Sequence, residues 1–91
     1  MGNWYLLHIS GHRHQIINNT GEDAFNVEMS LKGAVVAGLG GDDNWREEFD
    51  HIPYGQGPSR LIRQAWGPDG YVVIEWDAPD GERHIIDVPV R

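Results

Sequence analysis

Three histidines lie close together near the start of the chain and have the side chains to bind a metal ion. His12 and His14 are separated by one residue, so in a strand they point to the same side, as a site with two imidazole ligands requires. His8 on a neighbouring strand would supply a third ligand. No acidic residue lies near them in the sequence to complete the ligand set. We therefore favour the alternative, in which these imidazoles are hydrogen-bonded or face solvent.

A cluster of carboxylates in the middle of the chain suggests a second kind of cation site. Segment 42–50 contributes more than half of the formal net charge of -7 and contains only one basic residue, Arg46. Carboxylate oxygens suit Ca²⁺, but these acids do not recur at alternate positions as in an EF-hand loop. A solvated loop or a charged edge strand that resists edge-to-edge pairing is the favoured interpretation. The carboxylates are Asp42, Asp43, Glu47, Glu48 and Asp50.

Side chains that could perform hydrolysis or bind phosphate lack the necessary context. Ser10, Ser30 and Ser59 do not lie in a nucleophile elbow. The glycine-rich run 38–41 is followed by acids rather than by Lys and Ser or Thr, which argues against a phosphate-binding loop. The chain has no Cys, so thiolate zinc sites and cysteine nucleophiles are excluded. We expect a protein that is not an enzyme and has no cofactor.

Aromatic residues are more numerous than a small core is expected to bury. Exposed Trp or Tyr in loops is typical of carbohydrate platforms and of protein interfaces. Tyr54, in a Pro-Tyr-Gly turn, is expected to be the most exposed of them. The alternative is that most belong to the core or flank turns. The predicted binding residues are Tyr54, Trp45, Trp66 and Tyr71, with Trp4 and Tyr5 as further members of the set.

The elements that must position these residues are predicted to be strands. A chain of 91 residues forms one domain, here 1–91. Val, Ile, Thr, Tyr, Phe and Trp number 25, against 13 for Ala, Leu, Lys and Met. Glycine and proline interrupt the chain about every 8–12 residues, which is typical of a sandwich or barrel of short strands. The sequence thus predicts an all-β fold with antiparallel strands.

Alternation of apolar and polar residues identifies the candidate core. Segment 25–31 is the clearest half-buried strand, and segment 72–77 alternates in the same way. We expect the apolar residues of the first strand to face those of the second across the sandwich, with Trp76 as the main anchor because of its large apolar surface. The predicted core anchors are Trp76, Val27, Met29, Leu31 and Ile74.

Three further segments carry structural predictions. Ser10-Gly11 marks either a tight hairpin turn or a bulge in one long strand, and the hairpin is favoured. Segment 42–52 fits a helical turn as well as a strand, and we interpret it as a loop followed by a strand from about Arg46 to Ile52. The last strand, 85–90, should pair with the strand before it and lie at an edge, because Pro89 lacks a backbone donor.

Segment 17–29 resembles bacterial immunoglobulin-like domains of the CARDB type. The resemblance lies in the types and the spacing of Asn19, Gly21, Ala24 and Val27. The Pro-Tyr-Gly-Gln-Gly turn at 53–57 and the strand at 72–77 are similar to later parts of such domains. In physical terms, Asn19 can bond to neighbouring backbone and Gly21 can adopt a positive φ, so the turn closes without strain. The resemblance implies an immunoglobulin-like sandwich of about seven strands. It also implies a spacer, adhesion or virion-decoration module without catalytic residues.

Charge and hydropathy limit the partners. The net charge of -7 argues against nucleic acid as a ligand. No apolar run approaches the ~20 residues of a membrane span, and the first residues lack the positive region of a signal peptide. We expect a cytoplasmic or virion location if the chain is complete, and an extracellular one if it is an excised domain. The partner is expected to be another protein. The alternatives are a carbohydrate-binding module that uses exposed aromatics and a metal-binding domain or metal-dependent enzyme that uses His12 and His14.

Overall fold

A computed structural model describes residues 3–32, 34–36, 45–64 and 70–90 of the chain. Within these ranges the backbone forms strands and turns but no helix, and so no helix long and apolar enough to cross a membrane. Eight strands are present: β1 (Tyr5–Ser10), β2 (Arg13–Ile17), β3 (Ala24–Lys32), β4 (Ala34–Val36), β5 (Arg46–Ile52), β6 (Ser59–Gln64), β7 (Tyr71–Asp77) and β8 (Arg83–Pro89).

The strands form two sheets of four, and every pairing is antiparallel. The first sheet has the order β1-β2-β6-β4, and the second has the order β5-β3-β7-β8. The all-β, antiparallel class is as predicted. The described residues contain one strand more than the seven or so expected, because the three-residue strand β4 follows β3 almost directly and pairs with β6 of the other sheet.

The core draws side chains from both sheets, an arrangement consistent with a β-sandwich. The first sheet and the residue before it contribute Trp4, Ile16 and Ile62, while β3 and β7 contribute alternating residues that are 0–5% exposed. In β3 and β7 this alternation turns one face of the sheet into the core and leaves the other face half-buried or exposed. All five predicted core anchors are buried here: Trp76, Val27, Met29, Leu31 and Ile74.

The expected relation between two of the core strands was wrong. Met29 is the direct partner of Ile74, and Leu31 is the partner of Val72, because β3 and β7 are neighbours in one sheet. These side chains therefore pack side by side. They do not face each other across the sandwich as the sequence analysis assumed. The residues opposite them come from the first sheet, as the shared core cluster shows.

An aromatic stack closes one part of the core. The rings of Trp4 and Trp76 meet edge to face, with centroids 5.6 Å apart. On its other side Trp76 stacks on His84 of β8, at 5.3 Å and an angle of 25°. Trp76 thus joins the segment before β1 to β8. Aromatic pairs in such geometries contribute beyond their buried area.

The local predictions about hairpins are confirmed in the described residues. β1 and β2 form a hairpin around Gly11, whose φ of +52° suits glycine, and a shift in register between His8 and Ser10 adds a bulge next to the turn. β7 and β8 form the second predicted hairpin, with β8 at the edge of its sheet. Strand β5 has the bounds Arg46–Ile52 that the sequence analysis preferred.

The turn between β2 and β3 is organised by a different asparagine from the one expected. Asn18, not Asn19, is fully buried and makes the hydrogen bonds. Its Oδ1 accepts from the backbone N–H of Thr20 at 3.1 Å, and its Nδ2 donates to the carbonyls of Glu22 and Ile52 at 2.9 and 3.0 Å. Asn18 therefore closes the turn and ties it to the end of β5.

The segment before β6 runs closely along β2. The N–H of Ile16 donates to the carbonyl of Pro58 at 2.8 Å, and the N–H of Asn18 donates to that of Gln56 at 2.9 Å. Between these bonds a Cβ at Gly57 would lie 1.5 Å from the carbonyl oxygen of Ile16. Glycine is required here because the two backbones are too close for any side chain.

Candidate functional site

The histidines near the start of the chain are arranged differently from the prediction. His12 lies in the turn between β1 and β2. Because it is not in a strand, strand geometry does not place its side chain on the same side as that of His14. His8 and His14 are instead direct cross-strand partners on β1 and β2. Their rings lie 5.2 Å apart between centroids, inclined at 54°. His8 is exposed, whereas His14 is 5% exposed.

Each of these two rings is fixed by a backbone carbonyl. His8 donates from Nε2 to the carbonyl of Gly11 at 2.8 Å. His14 donates from Nδ1 to the carbonyl of His12, also at 2.8 Å. Because a carbonyl can only accept, each bond places the proton on a stated nitrogen and leaves a lone pair on the other. No group of three or more His, Asp or Glu side chains in the described ranges is placed to hold a metal ion.

An ion pair next to the histidines joins the two sheets. Arg60, the cross-strand partner of His14 on β6, donates from Nε to Oε1 of Glu47 on β5 at 2.9 Å and from Nη2 to Oε2. The indole N–H of Trp45 donates to the same Oε1 at 3.2 Å. These bonds, first of all that from Arg60, lower the pKa of the Glu47 carboxyl. Glu47 is therefore committed to linking the sheets.

The rest of the acidic segment does not form a cation site in the described residues. Glu48 and Asp50 are exposed on β5, which is an edge strand of the second sheet. Asp42 and Asp43 lie outside the described residues. The acidic segment thus includes a charged edge strand, which is one of the structures expected for it, and such charges discourage pairing with another chain.

The predicted binding aromatics that lie in the described ranges differ in exposure. Tyr54 is 53% exposed, as expected for its turn. Trp45 is 5% exposed and belongs to the core, so its ring cannot serve as a binding platform, and this expectation is corrected. Tyr71 is half-buried at the start of β7. Trp66 lies outside the described residues.

Tyr54 is held beside a histidine–carboxylate pair. Its backbone N–H donates to Oδ1 of Asp23 at 3.1 Å, and His51 lies 3.0 Å from the other carboxylate oxygen. The bond from Tyr54, followed by that from His51, lowers the pKa of Asp23. The His51 ring stacks on Phe25 at 4.8 Å with an angle of 6°. This cluster fixes the turn after β5 against the start of β3.

Only one residue of the most prominent exposed apolar surface, Tyr5, was among the binding residues considered from the sequence. Tyr5, Leu7 and Ile9 on β1 are 41%, 44% and 48% exposed, while Leu6 between them packs against the core. We call these three residues the β1 stripe. The signal was available, because residues 4–7 are apolar at successive positions instead of alternate ones and Ile9 follows, which places apolar side chains on both faces of a strand.

The β1 stripe lies on the part of the chain that is free of negative charge. The first 21 residues contain no Asp or Glu, although the whole chain has 14. The same 21 residues contain Arg13 and the three histidines described above.

In comparisons with protein-family models, curated proteins and solved structures, no significant match to this chain was found.

Proposed function

We propose that the chain is an immunoglobulin-like domain. In the immunoglobulin labelling, β1, β2 and β6 correspond to strands A, B and E, and β5, β3, β7 and β8 to C′, C, F and G. β4 takes the position beside E that strand D occupies, although here it precedes C′ along the chain. The order of strands in both sheets supports this assignment, as does the predicted resemblance to CARDB-type domains.

We propose further that the domain is a non-catalytic protein-interaction module that binds through the free edge of β1. The observation that carries this proposal is the β1 stripe, three exposed apolar side chains on a strand whose outer edge pairs with no described strand. An exposed apolar edge is a template for an added strand, whose backbone bonds to the edge while its side chains contact the stripe.

The other three edge strands are protected against such pairing. β5 carries exposed charges at Arg46, Glu48 and Asp50. β8 carries Pro89, together with the charges of Arg83 and Asp87. β4 is only three residues long. Charge, proline, short length and bulges are means by which proteins prevent edge pairing, and β1 has only the last, a bulge confined to its turn end beyond His8.

The occupant we assign to this edge is an extended strand of another protein, with apolar side chains at alternate positions and acidic side chains between them. The β1–β2 hairpin exposes Arg13, His8 and His12 and contains no carboxylate, so it complements a partner strand of this kind. A second copy of this chain would bring the same hairpin, without complementary charge, and a second net charge of -7.

The test uses a short synthetic peptide in which valine alternates with glutamate, titrated into the isotope-labelled protein. We expect the backbone amide resonances of β1 to shift first and most. Leu7→Lys should abolish the shifts, because a charge on the edge prevents strand addition. The variant should fold, since Leu7 is exposed.

Ile85→Lys is the matched control, since Ile85 is the exposed apolar residue of the other edge strand β8. It should bind the peptide as the unmodified protein does. Shifts centred on β8 or β5, or unchanged binding by Leu7→Lys, would contradict the proposal. Binding of a valine–lysine peptide as tight as that of the valine–glutamate peptide would contradict the assigned charge of the partner strand.

A further inference from the structure

The cross-strand pair of His8 and His14 has features that are typical of histidine ligands. Each ring donates one N–H to a backbone carbonyl at 2.8 Å, which fixes its tautomer and its orientation. Histidine ligands of metal ions almost always have such a second partner, because it holds the free nitrogen ready and raises its basicity. Here both rings have it, and His8 Nδ1 and His14 Nε2 are left as lone-pair donors.

The spacing of the rings matches that of two imidazoles on one ion. A metal–nitrogen bond of about 2.05 Å puts the ion about 3.2 Å from a ring centre, so a tetrahedral angle separates two such centres by about 5.2 Å. The centroids of His8 and His14 are 5.2 Å apart. The distance between the two rings is thus compatible with two imidazole ligands on one ion.

Access and charge also permit a cation there. Trp4 Nε1 is the only buried side-chain nitrogen without a partner in the described part of the chain, so the free Nε2 of His14 reaches solvent. The neighbouring guanidinium of Arg60 is neutralised by its paired contact with Glu47. The hairpin contains no carboxylate, which disfavours Ca²⁺ and Mg²⁺ because they require oxygen ligands.

We propose that His8 Nδ1 and His14 Nε2 together bind one divalent transition-metal ion, of the class of Zn²⁺, Ni²⁺ and Cu²⁺, with water completing the coordination. Imidazole nitrogen is a preferred ligand for this class. The site differs from the one expected from the sequence, because His12 contributes its backbone carbonyl to orient His14 and not its ring. It lies on the same hairpin as the strand-binding edge proposed above but does not use the β1 stripe.

The probe is zinc chloride added to the full chain at neutral pH, followed by calorimetry and by NMR of the histidine ring nitrogens. We expect one ion per chain and joint shifts of the His8 and His14 ring nitrogens, with those of His51 and His84 unchanged. His8→Gln should weaken binding about tenfold or more. Because His8 is exposed, this variant should fold normally.

Two controls separate this pair from the other possible ligands. His12→Gln and His84→Gln should bind zinc as the unmodified protein does, and His14→Gln, checked by thermal melting because His14 is buried, should lose binding. Absence of heat at millimolar zinc would overturn the proposal, as would full binding by His8→Gln. If His12→Gln lost as much zinc binding as His8→Gln, the ring of His12 would be a ligand, as expected from the sequence.

Discussion

Asn18 shows how much one buried polar side chain can determine. Its amide group bonds to Thr20, Glu22 and Ile52, so a single residue closes the β2–β3 turn and anchors it to the end of β5. Leaving buried carbonyl and N–H groups without partners costs about 1–3 kcal/mol for each group. Asn18 therefore contributes more to stability than its polar character would suggest.

Asn18→Ala should lower the free energy of unfolding by about 2–4 kcal/mol, because the N–H of Thr20 and the carbonyl of Ile52 lose their partner and the carbonyl of Glu22 keeps only its bond from Thr20 Oγ1. Urea denaturation followed by tryptophan fluorescence measures the change. Asn19→Ala is the matched control and should change stability by no more than about 0.5 kcal/mol. Equal losses in the two variants would show that Asn18 does not have this role.

The sequence placed a turn at residues 18–21 correctly and chose the wrong asparagine. Turn chemistry depends on local residue types, so Gly21 and its neighbours are enough to predict it, and Gly21 has the positive φ expected, +95°. The choice between Asn18 and Asn19 depends on the carbonyl of Ile52, which is distant along the chain. The burial of Trp45 could not be predicted for the same reason, because it depends on packing against residues from both sheets.

Strand β2 illustrates how two elements can constrain each other through a missing side chain. The N–H groups of Ile16, near the end of β2, and of Asn18 bond to segment 56–58, and the backbones approach so closely at Gly57 that no Cβ fits. Gly55, two residues earlier, differs in kind. It has a φ of +85° but open space around it. One glycine is required by contact and the other by backbone conformation.

Gly57→Ala should destabilise the domain by about 3 kcal/mol or more, because the backbone of β2 or of segment 56–58 must move to admit the methyl group. Gly55→Ala should lower the free energy of unfolding by only about 1–2 kcal/mol, because alanine is strained at a positive φ. Thermal melting of the two variants side by side is the measurement. If Gly55→Ala proved the more damaging, the close approach of the two backbones would be disproved.

At the level of elements, the strands were predictable and their partners were not. Alternation in β3 and β7 identified the buried residues correctly, since burial of one face requires period two. Alternation carries no information about which sheet a strand joins. Met29 and Ile74 were therefore expected to face each other and are instead neighbours in one sheet. Only the hairpins, whose partners are adjacent in sequence, could be assigned.

Three carboxylates link the stability of the whole molecule to pH. The pKa of Glu47 is lowered mainly by hydrogen bonds from Arg60, that of Asp23 by the N–H of Tyr54, and that of Asp77 by Asn26 and then Arg83. A lowered pKa in the folded state means that stability is present above the unfolded value and is lost as the pH falls through the folded value. The domain should therefore lose stability in acid.

We expect the free energy of unfolding to fall as the pH drops below about 4.5, where carboxylates of the unfolded chain begin to take up protons. Glu47→Gln should be less stable than the unmodified protein at neutral pH. The difference should shrink in acid, because the unmodified protein then loses the ionised carboxylate that the variant lacks at every pH. Urea denaturation over a pH series gives both quantities. Glu48→Gln, on the same strand but exposed, should follow the unmodified protein. A difference for Glu47→Gln that stays constant from neutral pH into acid would argue against this coupling.

The passage of the chain from β3 into β4 has a consequence for how the domain can open. Within a few residues the same stretch is bonded to β5 and β7 in one sheet and to β6 in the other. Pulling either sheet apart must strain a segment that is also held by its counterpart. Slow amide exchange should therefore report one shared opening event for both sheets, with only the outer strands able to fray on their own.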